Sequence, residues 1–351
     1  MKKSKVLALV LALTLVVSML AACGGGSSKK EDSGSAAAGE VIELKIAHVL
    51  DPSHPVHLGF EKMKELLEEK SGGAMTLKIF PNSALGDEVE VCENQASGST
   101  EIFMSAPSGN ALQGFDSNFL VVDFPFQFEN YDQVWAFYDG EFGQFLQDSI
   151  HQKNEGLMVL DWWDNGFRNL TTTKKEVHTA ADLKGMKIRV MSAAVHQDAW
   201  NTLGAAATAI PYAEVYNALQ QGVVEGQENP VANIYGMKFY EVQKYIIFTR
   251  HVHDPSPVVV ATSIWDTLTD EQKGWVTEAC EEAGQYMRQV SIDDEEGKLQ
   301  EMVDQGLTVI NLTPEELKTF QDGTASVKDH FADQLDDGVL EKYEAALAAV
   351  R

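Results

Sequence analysis

Residues 211–230 have the sequence PYAEVYNALQQGVVEGQENP, in which a helical pattern is followed at once by turn-forming glycines. The stretch from Tyr212 to Gln221 is predicted to form a short amphipathic helix, and Gly222 stands where a left-handed helix cap is expected. After it, Val223-Val224 is predicted as a two-residue strand and Glu225-Gly226 as a turn. A segment this short cannot bury a hydrophobic core of its own. From these residues alone, a segment that aims side chains at a ligand and an ordinary solvated helix and loop are both open interpretations.

Two other segments complete a pattern with residues 211–230. Asn165-Gly-Phe-Arg168 follows an aromatic strand end at Trp162-Trp163, and Leu183-Lys-Gly-Met-Lys-Ile-Arg189-Val190 contains a predicted strand. The three segments, in this order and near this spacing, resemble the signature of the DctP-type substrate-binding proteins of TRAP (tripartite ATP-independent periplasmic) transporters. The resemblance extends over most of residues 41–351. It implies a protein that captures a small organic acid outside the cell.

The resemblance also implies which residues hold the acid. It assigns the main carboxylate contact to Arg189, whose planar guanidinium suits two parallel hydrogen bonds. Arg168 is similar to a second family arginine that faces the ligand, and Asn229 to a family asparagine whose amide donates to the carboxylate. Tyr212 lies where the family places an aromatic wall. Asn165 either contacts the ligand or simply tolerates the turn geometry. Without the resemblance, a solvated surface arginine is the simpler interpretation of Arg189.

The remaining candidate site residues have weaker signals. His48 follows the first predicted strand, and Asp87 matches a position near the ligand in some family members. His54 and His57 stand one helical turn apart, either lining the cleft or lying on the surface at a helix start. Trp163 either packs on an apolar face of the ligand or belongs to the core. These residues are predicted to complete the site from the first half of the chain.

Composition limits the partners of the protein. The chain has 351 residues, of which 44% are hydrophobic and 23% charged, enough for two globular domains. Its formal net charge of −26 argues against nucleic acid or an anionic membrane surface as a partner. An acid-binding site must therefore be built locally from a few cationic groups. Cys92 and Cys280 are predicted as buried thiols, with a disulfide as the alternative.

Motifs of the common enzyme classes were sought and are missing from the sequence. It contains no nucleophile elbow, P-loop, zinc-protease helix motif, dinucleotide fingerprint or EF-hand loop. His251 and His253 alternate on extended chain without convincing partner ligands for a zinc ion. We therefore expect no catalysis, no cofactor and no metal, and we expect a monomer.

The first forty residues have the composition of an export signal and a tether. Three lysines precede the apolar run Val6 to Leu20, which is short for a membrane span and typical of a signal peptide. The sequence Leu20-Ala-Ala-Cys23 resembles the bacterial lipoprotein processing box, so residues 1–22 are expected to be removed and Cys23 lipidated. A general secretory signal, with Cys23 incidental, is the alternative. Residues 23–40 are predicted to be a flexible tether. The protein is thus expected to be extracytoplasmic and lipid-anchored to the cell membrane.

Strand and helix patterns predict the fold class. Strands and helices alternate between residues 43 and 105, which predicts a largely parallel sheet whose ligand binds beyond the carboxyl ends of the strands. Gly166 suggests a bend after an apolar strand, and Arg250 to Pro257, with two prolines and no periodicity, is predicted as an irregular return crossing. Asp270 to Gln305 is predicted as one long helix that spans both lobes. These features predict an α/β, two-lobed fold like that of periplasmic binding proteins, with hinge crossings.

The domain boundaries and the function follow from this organisation. Lobe I is assigned to residues 41–164 and 255–294, and lobe II to residues 165–254 and 295–351. The implied function is delivery of a sugar acid (a uronate or aldonate) or a C4-dicarboxylate to the membrane subunits of a TRAP permease. A sugar acid is preferred because the sequence locates no second cationic pocket. A ligand-binding partner of a membrane sensor or chemoreceptor and, from another class, a hydrolase on the same fold are the alternatives.

Overall fold

The computed structural model describes residues 41–154 and 156–351, which form a mixed α/β fold around one sheet. Its strands are β1 (Ile42–Ala47), β2 (Met75–Phe80), β3 (Ile102–Ser105), β4 (Leu157–Thr172), β5 (Lys187–Val190), β6 (Ala206–Ala209), β7 (Gly226–Asn229), β8 (Tyr245–Ala261) and β9 (Thr308–Ile310). Their order across the sheet is β2-β1-β3-β8-β4-β7-β5-β6, and β9 pairs with β8. The α/β prediction is confirmed.

Helices cover the sheet, and several begin at caps that the sequence predicts. They are α1 (Pro55–Lys70), α2 (Glu88–Ala96), α3 (Tyr131–Tyr138), α4 (Glu141–Lys153), α5 (Ala194–Thr202), α6 (Val215–Gln220), α7 (Val231–Gly236), α8 (Thr262–Trp265), α9 (Asp270–Asp304), α10 (Pro314–Thr324), α11 (Val327–Phe331) and α12 (Val339–Val350). The carboxylate of Asp87 accepts from the N–H of Glu90 at 2.9 Å, and Thr313 forms a capping box with Glu316. Within the described ranges, no helix has the length and apolarity that crossing a membrane requires.

The two longest strands, β4 and β8, run antiparallel through the centre of the sheet and connect its two ends. The last residues of β8 pair with β3, whereas its first residues pair with β9. The last residues of β4 pair with β7. One end of this strand pair therefore carries β1 to β3, and the other carries β5 to β7 and β9.

The segments that the sequence predicts as bends and irregular crossings lie within these two strands. Gly166 has a φ of +114°, and the register shifts between Asp164 and Gly166, but the strand continues beyond this bulge. Pro255 and Pro257 lie inside β8, opposite Asp164 and Trp162. Proline is tolerated in a sheet where a bulge removes a ladder hydrogen bond. The expectation of a largely parallel sheet missed this central antiparallel pair, because prolines ordinarily interrupt a strand.

The predicted long helix is present as α9 and links the two ends of the sheet. Ala279, Ala283 and Met287, in its first half, belong to an apolar cluster with α1, β1 and β3. Met302, near its end, belongs to a different cluster with α6 and α7. The helix ends before Gly306, whose φ is +105°. One rigid element therefore packs against both halves of the fold.

Both cysteines of the described region are free and buried, as predicted. Cys92 belongs to the cluster around α3 and α4, whereas Cys280 belongs to the cluster around α1. Burial raises the pKa of each thiol above its usual range. The signal peptide, Cys23 and the tether of residues 23–40 lie outside the described residues.

Candidate ligand-binding site

A cavity of about 290 Å³ lies where the two halves of the fold meet. One wall consists of residues that follow β1, β2 and β3 together with the start of α2: Val49, Leu50, Ser83, Gly86, Asp87, Glu88, Val89, Ser108, Asn110 and Ala111. The other wall comes from β4, β5, β7 and the segments after them: Arg168, Arg189, Met191, Ser192, Pro211, Tyr212, Ala213, Glu214, Asn229 and Asn233. The cavity thus lies beside the carboxyl ends of several parallel strands, where ligands of such sheets bind.

Strand β7 places polar side chains in the middle of the fold. Gln227, Glu228 and Asn229 are all buried, and the strand pairs with β4 on one side and β5 on the other. A Cβ atom on Gly226 would lie 2.5 Å from the backbone oxygen of Thr171, so only glycine fits there. Pairing on both sides satisfies the backbone of this segment. Among the three polar side chains, Asn229 lines the cavity.

The prediction for residues 211–230 is partly right. Helix α6 and its cap are present, with a 3₁₀ turn at Tyr212–Glu214 before it and a φ of +70° at Gly222. The predicted strand at Val223-Val224 is wrong, because Val223 is 52% exposed and the strand begins at Gly226. Apolar β-branched residues ordinarily favour a strand, but here the neighbouring strands select the polar residues instead.

Arg168 is fully buried and neutralised by protein carboxylates. Its Nε and Nη2 donate to Oε2 and Oε1 of Glu228 at 2.5 and 2.8 Å, and its Nη1 donates to Oδ2 of Asp254 at 2.6 Å. Nη2 also donates to the backbone oxygen of Glu228 at 2.6 Å. Four of the five guanidinium N–H groups are thereby used, which leaves one for the cavity that Arg168 lines. Burial alone would lower the pKa of Arg168, but Glu228 and Asp254 raise it.

Two histidines lie around the carboxylate of Glu228. Nε2 of His251 lies 3.0 Å from Oε2 of Glu228, and Oγ1 of Thr249 lies 2.8 Å from Nδ1 of the same ring. Nδ1 of His196 lies 3.9 Å from Oε2 of Glu228. Nε2 of the same ring lies 3.2 Å from Oδ1 of Asp123. All these contacts are buried. Glu228 is thus held on several sides, and it holds Arg168 in turn.

Arg189, in contrast, has no carboxylate partner among the described residues. Its Nε donates to the backbone oxygen of Ile210 at 2.8 Å, and its buried Nη1 has no acceptor within the described ranges. Burial, together with the nearby charge of Arg168, lowers the pKa of Arg189 to about 10, so the side chain stays charged at pH 7. A buried charge without a counter-ion is costly. An anion in the cavity would remove that cost.

Two further predicted residues line the same wall. The amide Nδ2 of Asn229 donates to Oε1 of Gln227. The phenol O–H of Tyr212 donates to the backbone oxygen of Asn233 at 3.2 Å, and its ring stands edge-on to Phe239 with the centroids 6.1 Å apart. Four residues that the resemblance assigned to the ligand site therefore line one cavity: Arg168, Arg189, Tyr212 and Asn229.

The opposite wall contains one predicted residue and two that the sequence analysis missed. Asp87 lines the cavity, although one of its oxygens caps α2. Glu88 accepts from the N–H of Ser108 at 2.9 Å, and burial raises its pKa to about 7. Asn110 has a buried Oδ1 without a partner among the described residues. The only sequence signal for Glu88 is its place at a helix start, where acids are common for other reasons.

Trp163 lies outside the cavity, in the apolar cluster beneath α1 and α9. Its ring centroid is 4.6 Å from that of Phe60, and its Nε1 donates to Oδ2 of Asp161 at 3.0 Å. Strand β4 is covered on both faces, so Trp162 and Trp163 are both buried on opposite sides. The core interpretation of Trp163 is therefore the correct one, and the proposed site excludes it.

His48 and Asn165 also lie behind the cavity wall. Nε2 of His48 is 3.0 Å from Nδ1 of His57, and its ring stacks on Phe60 at 6.0 Å between centroids. Asn165 donates from Nδ2 to Oδ2 of Asp254 at 2.8 Å. The direction of the side chain is set by β1, which His48 follows, and by β4, which contains Asn165, and a sequence motif does not reveal it. Asn165 supports the carboxylate that pairs with Arg168, and neither residue lines the cavity.

The sequence of residues 46–334 matches the protein family DctP, described as bacterial extracellular solute-binding protein, family 7. The chain belongs to the DctP family. Among DctP-family relatives, the 2,3-diketo-L-gulonate-binding periplasmic protein YiaO of Escherichia coli K12 is 31% identical over 296 residues, 84% of this chain and 88% of YiaO. The C4-dicarboxylate-binding periplasmic protein DctP of Rhodobacter capsulatus is 32% identical over 317 residues, 89% of this chain and 93% of that protein.

A solved structure of similar fold extends the comparison. The sugar acid binding protein DctPAm of Advenella mimigardefordensis, crystallised in complex with galactonate, superposes with a TM-score of 0.85 at 28% identity. The match covers 89% of this chain and 99% of the solved one. The two-lobed α/β prediction is confirmed, and the chain is a DctP-family solute-binding protein of the TRAP transporter type. Members of this family act outside the cytoplasm as transport proteins and not as enzymes.

Proposed function

We propose that the protein binds a small organic acid in the cavity and delivers it to the membrane subunits of a TRAP transporter. The observation that carries the proposal is the buried, charged guanidinium of Arg189, which lines the cavity without a carboxylate partner among the described residues. A ligand carboxylate can supply two parallel charge-assisted hydrogen bonds to such a group. The relatives support an acid, because their names and bound ligand are 2,3-diketo-L-gulonate, C4-dicarboxylate and galactonate.

The two walls suggest different roles in this binding. The carboxylate would meet Arg189, the free N–H of Arg168 and the amide of Asn229 on one wall. The opposite wall offers Glu88 and Asn110, whose oxygens accept hydrogen bonds from hydroxyl groups. A second carboxylate placed there would be repelled by ionised Glu88. The arrangement therefore favours a hydroxylated acid, such as an aldonate or uronate, over a C4-dicarboxylate.

Closure of two lobes over the ligand is part of the proposal. We assign lobe I to residues 41–164 and 255–294, and lobe II to residues 165–254 and 295–351, with hinge bending where the central strands are bulged near Gly166. A ligand shifts the balance of open and closed states only by its difference in affinity for them. The carboxylate would bind lobe II in both states, and the hydroxyl groups would reach lobe I on closing.

Attachment to the membrane is proposed separately. Cys23, at the end of a lipoprotein-type signal, would carry the lipid, and residues 23–40 would tether a monomeric domain. Partition of the full-length protein and of Cys23→Ala between detergent and water, with intact mass of the processed chain, tests this. Recovery of both proteins in the aqueous phase, without a lipid mass, would contradict the anchor.

The binding proposal is tested on the chain from residue 40 onward, which forms one compact unit. A thermal-shift screen would compare aldonates, uronates, monocarboxylates, dicarboxylates and neutral sugars, because a ligand at a hundred times its Kd adds about 2.7 kcal/mol of stability. Calorimetry would then measure the Kd of the best acid.

Arg189→Ala should weaken binding roughly thirty- to several-thousand-fold, because a buried charge pair loses about 2 to 5 kcal/mol when one partner is removed. Lys174→Ala, which removes the same charge from an exposed position, is the matched control and should bind normally. Shifts with neutral sugars alone, or equal binding by Arg189→Ala and the control, would overturn the proposal.

A further inference from the structure

Asn233 lies on the cavity wall, in a position that the sequence analysis did not select. It belongs to α7, which follows β7 directly, and only 3% of it is exposed. Its backbone oxygen accepts from the phenol of Tyr212 at 3.2 Å. Its side-chain Oδ1 lies 3.1 Å from Nε2 of His54, a residue of the opposite half of the fold. Asn233 therefore has its backbone and one side-chain atom fixed.

The tautomer of His54 is determined by the helix that this residue caps. The backbone N–H of Val56 donates to Nδ1 of His54 at 3.2 Å, at the start of α1. A ring nitrogen that accepts a hydrogen bond carries no hydrogen, so the hydrogen of a neutral imidazole must be on Nε2. His54 is fully buried beside Lys298, which disfavours a second proton on the ring. Nε2–H is thus a donor, and the atom of Asn233 that faces it must be an acceptor.

This hydrogen bond fixes the direction of the Asn233 amide. Oδ1 faces His54, so the Nδ2 group with its two hydrogens is on the other side of the amide. The described residues provide no acceptor that is bonded to this Nδ2, and Asn233 lines the cavity. Donors in a binding cavity select acceptor oxygens of the ligand. The cap of α1 therefore determines, through His54 and Asn233, that the cavity presents a hydrogen-bond donor at this point.

We propose that Asn233 contacts the ligand as a hydrogen-bond donor and that His54 is the positioning residue that orients its amide. The proposal rests on the proposed function and adds a second recognition point. The carboxylate binds at Arg189, and a hydroxyl or carbonyl oxygen elsewhere on the same acid accepts from Nδ2 of Asn233. Since His54 and Asn233 come from opposite halves of the fold, the donor is oriented only while those halves are in contact.

A matched pair of substitutions separates the two roles of His54. His54→Asn retains an oxygen that caps α1, because asparagine is a good N-cap, but its side chain is too short to reach Asn233. His54→Gln has a longer side chain whose N–H can still reach Asn233, but glutamine is a poor N-cap for α1. We expect His54→Asn to keep its stability and to bind D-galactonate, D-glucuronate or succinate, whichever binds most tightly, about tenfold more weakly. His54→Gln should lose stability and keep its affinity.

A double-mutant cycle with Asn233→Ala shows whether His54 acts through Asn233. Asn233→Ala alone should weaken binding of the same acid about tenfold or more. In that background His54→Asn should cost nothing further, because there is no amide left to orient. A similar loss from His54→Asn in both backgrounds, or no loss from Asn233→Ala, would overturn the proposal.

A measurement on the ligand-free protein keeps this inference distinct from the proposed function. Long-range ¹H–¹⁵N correlation spectra of the imidazole rings report which nitrogen of His54 carries the hydrogen. Hydrogen on Nε2 is expected, and hydrogen on Nδ1 would overturn the orientation of Asn233. If none of the three acids binds while the hydrogen is on Nε2, the proposed function fails, and the ligand contact fails with it, but the orientation stands.

Discussion

Glu228 faces Arg168 so that both of its carboxylate oxygens accept hydrogen bonds from one guanidinium, at 2.5 Å from Nε and 2.8 Å from Nη2. Both side chains are fully buried. Arg168 and Arg189 line the same cavity, but only Arg168 has carboxylate partners within the described protein. The two arginines therefore differ: Arg168 is paired with protein carboxylates and has one N–H left for a ligand, whereas Arg189 has no carboxylate partner within the described ranges and is free to pair with an anion.

Glu228→Gln should destabilise the protein by about 3 kcal/mol, because it removes one of the two buried carboxylates that pair with the buried guanidinium of Arg168. Urea unfolding measures the change. Glu225→Gln, three residues away and exposed, is the control and should change the free energy of unfolding by less than about 0.5 kcal/mol. Equal stability of the two variants would show that the Arg168–Glu228 ion pair makes no net contribution to the free energy of unfolding.

Affinity for an acid should depend on the ionisation of Glu88. Burial raises the pKa of Glu88 to about 7, and this side chain lines the cavity. Its neutral form, which predominates below pH 7, tolerates an anion, whereas its ionised form repels one. The Kd of D-galactonate should therefore rise several-fold between pH 6 and pH 8.

Calorimetry at several pH values tests this dependence on Glu88. Glu88→Gln should bind with nearly constant affinity across the range. Glu90→Gln, on the same helix but outside the cavity, should retain the wild-type dependence. A flat profile in the wild-type protein would contradict the assignment.

Stability should fall in mild acid because of buried neutral histidines. Burial lowers the pKa of His54 from 6.5 to about 4, and burial together with neighbouring His57 lowers the pKa of His48 to about 3. Between pH 6.5 and pH 4 the unfolded chain binds a proton at His54 that the folded chain does not. The free energy of unfolding therefore decreases as the pH falls through this window, by about 1.4 kcal/mol per pH unit for each such histidine.

Urea unfolding at pH 4.5, 5, 5.5 and 6 measures this slope. His54→Gln should reduce it by about one proton, since the glutamine does not titrate, while the contribution of His48 remains. Identical slopes in the two proteins would mean that His54 is already protonated in the folded state.

Two glycines should respond to alanine in opposite directions. A Cβ on Gly226 would lie 2.5 Å from the Thr171 oxygen and 2.9 Å from Cδ1 of Ile188, so Gly226→Ala must move paired strands and should cost about 1–3 kcal/mol or more. Gly274 lies in α9 with no atom within 4 Å of its Cβ position. Gly274→Ala should raise the midpoint of unfolding, because it adds about 0.5–1 kcal/mol of helix stability. If both substitutions lowered the free energy of unfolding, the prediction of opposite effects would be wrong.

Features that depend on neighbouring residues could be predicted from the sequence. The glycine cap at Gly222 is present as predicted, and the caps at Asp87 and Thr313 and the glycine end at Gly306 follow equally local sequence patterns. Each is decided within one helical turn by hydrogen bonds to the local backbone. The length of α9 was likewise predictable, because its pattern runs without a proline from Asp270 onward.

Features decided by distant residues were not predictable. Strand β7 has no apolar side chain, and it is a strand because β4 and β5 lie on either side of it. Arg168 lines the cavity, but its partners Glu228 and Asp254 come from two other strands and have no local sequence signal. Asn233 has no sequence signal of its own. Its orientation follows from His54, 179 residues away along the chain.

The two buried thiols have a practical consequence for measuring lobe movement. Cys92 and Cys280 are shielded in the core, and their raised pKa values keep them in the unreactive thiol form. A protein that starts at residue 40 therefore has no competing site for maleimide dyes. Single cysteines introduced on each side of the cavity can be labelled as a donor and acceptor pair without removing any natural residue. Energy transfer between the two dyes then reports the distance between the lobes, and a change in it reports binding of the acid.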